Sequence, residues 1–286
     1  MSKYISRITQ QVRNVLHINN LDSLSYLMWE QFRTDLLCSE PYTNPLRLEK
    51  YGYKVFSQND EDGIINEIFK RIGTTNKVFV EFGVENGLEC NSYYLLMNDW
   101  HGLWIEGSKD CCNQIKNNFT VVLDGAKPSL TLINKYITCE NINELIESSG
   151  ITREIDLLSI DIDGNDYHVF KEIDVISPRV VIVEYNAKFP SNFSWIMEYN
   201  PTHIWDASDK QGASLKALEL LAREKGYRLI GTNLSGVNAF FVREDLAGNL
   251  FAEPATAENL YNPGRFAMGM TYISGHPSKH CLMSEK

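Results

Sequence analysis

Two pairs of oxygen-bearing side chains, Asp161 with Asp163 and Glu184 with Asn186, recur at one spacing in two apolar runs, Ile155–Asp163 and Arg179–Asn186. Residues i and i+2 of an extended strand point to the same side, so each pair presents both groups together near the end of its run. If the runs are parallel strands, all four groups converge on the crevice beyond the strand ends, where open α/β sheets bind ligands. Four such groups in a small volume repel one another unless a cation lies between them. Carboxylate and amide oxygens are the donors that Mg²⁺, Mn²⁺ or Ca²⁺ prefer, and an ion there would lower the pKa of an acceptor hydroxyl. Asp163, Glu184 and Asn186 are the expected metal ligands, with Asp163 also a catalytic group. The alternative for Asp161 is a hydrogen bond to cofactor or backbone, with Gly164-Asn165-Asp166 as a turn into the next helix. His168, one turn into that helix, and His203, in the Asn200–Asp206 loop, are the two candidates for a proton acceptor at neutral pH.

A second concentration of chemistry lies earlier, in Lys77-Val-Phe-Val-Glu-Phe-Gly-Val-Glu-Asn-Gly-Leu-Glu-Cys-Asn-Ser92. Val78, Phe79 and Val80 read as a buried strand, Gly83 and Gly87 permit close backbone approach, and Asn91-Ser92 suit a helix start. Glu81 stands where the strand runs out and is expected to face a ligand. The run His101–Gly107 ends on Glu106 about 20 residues after the turn, the place of a ribose-binding acid in a doubly wound sheet. A dinucleotide site needs a G-x-G-x-x-G turn with few acids near its pyrophosphate. Here Glu81, Glu85 and Glu89 crowd that place and the glycine spacing does not match. An acidic turn suits a cofactor with a ribose, an amino-acid moiety and a positive centre, which describes S-adenosylmethionine. The plainer alternative is ordinary βα-turn glycines with the glutamates as a solvated rim.

The elements needed to hold these groups are legible as alternating strand and helix segments. Acids fill the first turn of Ser57-Gln-Asn-Asp-Glu-Asp62, and Ile64, Ile65, Ile68 and Phe69 then form an apolar stripe. Helices are expected over 110–117 and 141–149, a third strand over Phe119–Asp124, and a central parallel strand over 179–186. Ser214 caps a helix that stops at Gly226. The strands Tyr227–Ile230 and Ala239–Val242 are joined by too few residues for a crossover helix and must be antiparallel neighbours. The fold class is therefore α/β, a Rossmann-like, doubly wound, mostly parallel seven-stranded sheet ending in an antiparallel hairpin, with an N-terminal helical addition.

Residues 1–50 carry helical candidates at 5–16 and 21–37 and read as a helical cap or oligomerisation arm. Residues 51–245 form the catalytic domain, and 246–286 a loop-rich extension. Ile5, Ile8, Val12, Leu16, Leu24, Leu27, Met28 and Phe32 lie at helical spacing outside the sheet, which predicts a homodimer or higher oligomer. Formal charge is −10 with 27 scattered basic residues, an argument against nucleic acid as partner. No apolar run reaches membrane-spanning length and the start lacks a signal-peptide core, so a cytoplasmic protein without membrane association is expected. Six cysteines form no C-x-x-C pair and are expected as free thiols.

The segments Phe79–Gly87, Trp104–Gly107, Leu158–Tyr167 and Val181–Asn186 resemble the class I S-adenosylmethionine-dependent methyltransferases. The likeness runs over about Ser57 to Arg243 and is to FkbM-type and metal-dependent bacterial sugar O-methyltransferases of capsule and surface-polysaccharide pathways. The resemblance implies that Glu81, Gly83 and Gly87 surround the methionine moiety, and Gln58 and Asn86 are also expected to bind the cofactor. It implies Glu106 as the ribose acid, Asp124 as the adenine-side acid and Asp161 as the acid closing the fourth strand. The implied activity is methylation of a sugar or sugar-nucleotide hydroxyl. N-methylation, a natural-product acceptor, a non-catalytic cofactor-binding protein and a nicotinamide oxidoreductase are the alternatives. Gly83-Val-Glu85 departs from the usual Gly-x-Gly, and Asp161-Ile-Asp-Gly164 from the Asp followed by Glu-Gly of FkbM-type enzymes; the second departure favours a metal-assisted subtype.

Overall fold

A computed structural model describes residues 18–123 and 129–265. The helical candidate at 5–16, Asp124 and the tail from Phe266 onward lie outside the described residues. Seven strands form one sheet in the order β3-β2-β1-β4-β5-β7-β6. They are β1 (Val78–Phe82), β2 (His101–Glu106), β3 (Leu130–Asn134), β4 (Arg153–Ile160), β5 (Ile176–Glu184), β6 (Tyr227–Thr232) and β7 (Asn238–Arg243). The first five are parallel, and β7 runs antiparallel to both β5 and β6. The chain reverses direction of winding between β1 and β4, so the ligand crevice of such a sheet belongs at their carboxyl ends.

Alternation along the strands separates two apolar layers. Val80, Phe82, Leu103, Ile105, Val181 and Val183 face one layer; Phe79, Trp104, Val180, Ile182 and Phe240 face the other. The second layer is closed by the helix Glu61–Ile72, whose Ile64, Ile65 and Ile68 are buried. The helix Leu215–Glu224 covers the first, its Ser214 accepting from the Ala217 N–H as an N-cap. Buried Asp156 ties the start of β1 to β4: it accepts from the N–H groups of Thr75, Asn76 and Lys77 and pairs with Arg179.

The third strand is not where the sequence places it. Thr120–Leu123 is a short helix, and the strand pairing with β2 is Leu130–Asn134. Phe119 is drawn out of any strand because its ring packs edge-on against Trp104 and Tyr93 at 5.0 and 4.9 Å. Tertiary packing thus overrides β-propensity in the Val-Val-Leu run. The fourth strand also ends earlier than expected, at Ile160. Asp166 accepts from the N–H groups of Ile162 and Gly164, both at 2.8 Å, and Asp163 takes a left-handed φ of 56°. Asp161 and Asp163 therefore stand in a turn and are not an i, i+2 strand pair.

The core continues past residue 245. Ala247 and Phe251 join one layer, Ala252, Ala257 and Leu260 the other. Asn262, fully buried, donates to Glu49 and Thr232 and accepts from Tyr42. At the other end, helix Ile18–Leu37 leaves Leu27, Met28 and Phe32 exposed by 63, 64 and 40%. No helix among the described residues is long and apolar enough to cross a membrane.

Candidate cofactor and acceptor pocket

A cavity of about 490 Å³ opens at the carboxyl ends of the parallel strands, within the size range of small-molecule sites. Its lining includes Gln58, Glu81, Gly83, Glu106, Asp161, Asp163, Glu184 and His203 from the expected set. Asn86, Gly87, His168 and Asn186 are not among the lining residues, and Asp124 lies outside the described residues.

The turn after β1 is built by its own carboxylate. Glu81 accepts from the N–H groups of Asn91 (2.8 Å) and Ser92 (2.9 Å) and from the Ser92 hydroxyl, while that hydroxyl accepts from Trp104 Nε1 at 2.7 Å. Burial pushes the Glu81 pKa up and these donors pull it back. Gly83 has φ 69°, and a Cβ there would fall on the carbonyl oxygen of Asp161, so only glycine lets the turn pass against the end of β4. Gly87 is needed for another reason: a Cβ would meet Trp104 at 2.7 Å and Phe119 at 2.9 Å. It seats the turn on the core, and the Asn86 side chain accepts from the Leu88 N–H.

Glu106, at the end of β2, accepts from the N–H groups of Glu85 (2.9 Å) and Ser108 (2.7 Å). Burial raises its pKa against those bonds. Beside it stand Lys135, Tyr136 and Ile137, which follow the actual third strand and line the cavity. The Tyr136 ring lies where a Cβ on Gly107 would be, and Asn134 Nδ2 donates to the carbonyls of both Glu106 and Gly107. Sequence reasoning missed this wall because it ended the third strand at Asp124. Aromatic Tyr136 just after a polar strand end was the available signal.

The opposite wall comes from the loop between β5 and the helix at 215. Asn165 and Asn200 exchange hydrogen bonds, and His203 Nε2 lies 3.0 Å from the Asp163 carbonyl. A carbonyl can only accept, so Nε2 carries the proton there and Nδ1 is left as the basic nitrogen of a neutral ring. Gly164 makes room for this ring; a Cβ would lie 2.7 Å from Nε2. His168 instead reaches the Met197 carbonyl at 2.7 Å, and Tyr199 holds Glu140 and the Cys139 N–H. These contacts clasp the loop to the helix Asp166–Glu172 and to the segment at Cys139 and Glu140, and His168 does not line the cavity. Among the aromatic residues of this stretch, Trp205 lines the cavity, whereas Tyr185 is core and Phe189 stacks on Phe193 and Trp195.

Of the expected ligand set, Asp163 and Glu184 both line the cavity, whereas Asn186 is engaged elsewhere. Asn186 spends both amide hydrogens on the carbonyls of Asp209 and Gln211, and its oxygen accepts from the Lys188 N–H. Asp161, Asp166 and Glu184 come together instead, with one oxygen of each within 4.8 Å of the others. Burial and the neighbouring acids push Asp161 and Glu184 well above the carboxylate range, and Asp166 up to about 6.

Residues 99–229 match the family model for the methyltransferase FkbM domain. Among solved structures, a putative O-methyltransferase from Klebsiella pneumoniae is 14% identical over 76% of this chain and 96% of its own, with a TM-score of 0.44. An S-adenosylmethionine-dependent methyltransferase from Clostridium acetobutylicum is 11% identical over 75% and 98%, at 0.40. M. capricolum TrmK, solved with S-adenosylhomocysteine, is 15% identical over 62% of this chain, at 0.37; the alignment spans 65% of that chain, less than two thirds of its length. No curated protein matches. The class that the sheet order, the acidic pocket and the family match support is an S-adenosylmethionine-dependent methyltransferase.

Proposed function

We propose that the protein transfers a methyl group from S-adenosylmethionine to a hydroxyl of a sugar or sugar nucleotide of the kind built into capsule or surface polysaccharide. The observation that carries the reading is the acidic row along the sheet edge, from Glu106 through Glu81 to Asp161 and Glu184, lining one cavity. Such a lining suits a ligand with ribose hydroxyls, an ammonium and a sulfonium, and repels a pyrophosphate. Glu106 is the ribose acid in this reading, with Lys135–Ile137 beside the base. The acceptor side is furnished with Asn165, Gln211, His203 and Trp205, amides and an aromatic face that suit sugar hydroxyls and a sugar ring. In-line attack on the sulfonium methyl then depends on alignment, with His203 placed to accept the hydroxyl proton. A divalent ion bound at the strand ends would lower that hydroxyl's pKa.

The exposed apolar positions of helix Ile18–Leu37 support a homodimer through residues 1–50. Isothermal titration with S-adenosylhomocysteine and NAD, followed by transfer of labelled methyl to a panel of sugars and sugar nucleotides, tests the function. Binding of the first ligand and methylation of a hydroxyl are expected. Binding of NAD alone would refute the class, and methylation confined to amino groups would refute the acceptor.

A further inference from the structure

Two amide oxygens of the cavity lining, Gln211 Oε1 and Asn238 Oδ1, are buried with no hydrogen-bond partner in the protein. Buried amide oxygens are seldom left so. Asn238 is 4% exposed and pairs directly with Glu184 across β5 and β7. With β4 and β5 between them, β7 stands three strand spacings from β1, roughly 14 Å from the strand that carries Glu81. The turn after β1 and the amide oxygen of Asn238 therefore belong to opposite ends of the cavity, and Gln211 joins Asn238 at the end where the acceptor enters.

Both residues are fixed by contacts that leave these oxygens unanswered. Asn238 Nδ2 donates to Glu61 Oε1 at 2.9 Å, and Glu61 is itself held by Asn233 Nδ2 and the Asn59 N–H. A carboxylate accepts, so the amide nitrogen faces Glu61 and the oxygen is turned away from it. The backbone at Gln211 is fastened to the end of β5: Asn186 Nδ2 donates to the carbonyls of Asp209 and Gln211 at 2.7 and 3.0 Å, and the Asn186 N–H to the Ala213 carbonyl at 2.8 Å. An amide oxygen cannot donate, so its missing partner must bring a hydrogen. A carboxylate has none to give at neutral pH, whereas a sugar hydroxyl has one.

We infer that Gln211 and Asn238 determine acceptor specificity, each amide oxygen receiving a hydrogen bond from an acceptor hydroxyl other than the one methylated. The inference rests on the sugar-hydroxyl reading and deepens it: the substrate is a sugar ring with at least two further hydroxyls free, and a ring deoxygenated at either of them is refused. A site built to hydrogen-bond a hydroxyl rejects the analogue that lacks it, because the buried polar group is then left unpaired. His203, on the same loop as Gln211, keeps Nδ1 for the reacting hydroxyl.

The test uses the full chain and the methyl glycosides of glucose, galactose and mannose, each with its monodeoxy analogues. Binding in the presence of S-adenosylhomocysteine is read by isothermal titration, and transfer from labelled S-adenosylmethionine as kcat/KM. Deoxygenation at two ring positions is expected to weaken binding, and kcat/KM where transfer occurs, about tenfold or more. Gln211→Met should abolish the penalty at one position and Asn238→Leu at the other, with S-adenosylhomocysteine affinity unchanged in Gln211→Met. Asn238→Leu also gives up the bond to Glu61; if it fails to fold, Gln211→Met decides, since Gln211 Oε1 has no partner in the protein to lose. Equal affinities and rates across the monodeoxy series, penalties undiminished in either folded variant, or no binding of any glycoside would overturn the assignment. Methylation of a hydroxyl without such penalties would overturn it while leaving the methyl-transfer reading in place. Glycoside binding with both penalties but no transfer would leave the assignment standing and sink that reading.

Discussion

Replacing Glu81 by Gln separates a carboxylate that touches the cofactor from one that builds the cofactor's turn. In the structure its two oxygens take three donors, the N–H groups of Asn91 and Ser92 and the Ser92 hydroxyl, all from the far end of the turn. A hydrogen bond to a charged acceptor is worth about 1.5–3 kcal/mol, and an unsatisfied buried donor costs about 1–3 kcal/mol. Glutamine keeps one acceptor oxygen and sets an NH₂ against at least one of those N–H groups. Removing a buried charge returns part of the loss, since burial already pushes the Glu81 pKa up. The net cost is about 2–3 kcal/mol, which for a domain of this size lowers the melting temperature by roughly 4–12 °C. Because the turn carries Gly83 and Glu85 against the cavity, affinity for S-adenosylhomocysteine should fall with stability, and Ser92→Ala should reproduce part of both losses. Thermal denaturation and isothermal titration on the same samples decide the matter. An unchanged melting temperature with lost affinity would refute the positioning role and restore direct contact, and no change in either would refute both.

Three further outcomes are expected. Asp60 has both carboxylate oxygens buried without partners, and burial with the nearby Glu61 charge pushes its pKa up to about 7. The folded chain then holds this proton up to about pH 7 while the unfolded chain loses it near 3.8, so stability falls as pH rises between those values. In urea titrations at pH 5 and 8, Asp60→Asn should flatten that fall, and an equal slope in both proteins would exclude Asp60 as its source. His168→Ala should raise the acceptor KM several-fold through the loosened loop while leaving the pH–rate limb in place; loss of that limb with KM unchanged would make His168 the base. Light scattering of the full chain should give a dimer mass that Phe32→Glu converts to monomer, and a monomer at tens of micromolar without the substitution would rule out association through the N-terminal helix.

What the sequence revealed and what it hid divide along one physical line. The strands flanking the crevice were legible because β1, β2 and β5 are buried on both faces and read as near-continuous apolar runs. The terminal hairpin followed from chain length alone: five residues between β6 and β7 leave no room for a crossover. The third strand was misplaced because Phe119-Thr-Val-Val-Leu has the stronger β-propensity, yet Phe119 is worth more against Trp104 than in an edge strand. Leu130-Thr-Leu-Ile-Asn134 lies at the sheet's edge, where one side is unpaired and the apolar signal is thinner.

The site was legible in composition and hidden in geometry. Asp161 and Glu184 stand at strand ends that the apolar runs announce, so both were found. Their companions depend on facts no local pattern carries. Asp166 joins them because its carboxylate folds back on the Ile162 and Gly164 N–H groups, converting an expected strand pair into a turn in which Asp163 takes a left-handed φ. Asn186 is lost to the site because a loop 23 to 25 residues further on returns the carbonyls of Asp209 and Gln211 to its amide. Asn238 reaches the cavity lining because an antiparallel register sets it opposite Glu184, a pairing across 54 residues of chain. Identity and spacing therefore name the chemistry of the first two acids, whereas the complement of the site is decided by which backbone groups claim the remaining side chains first.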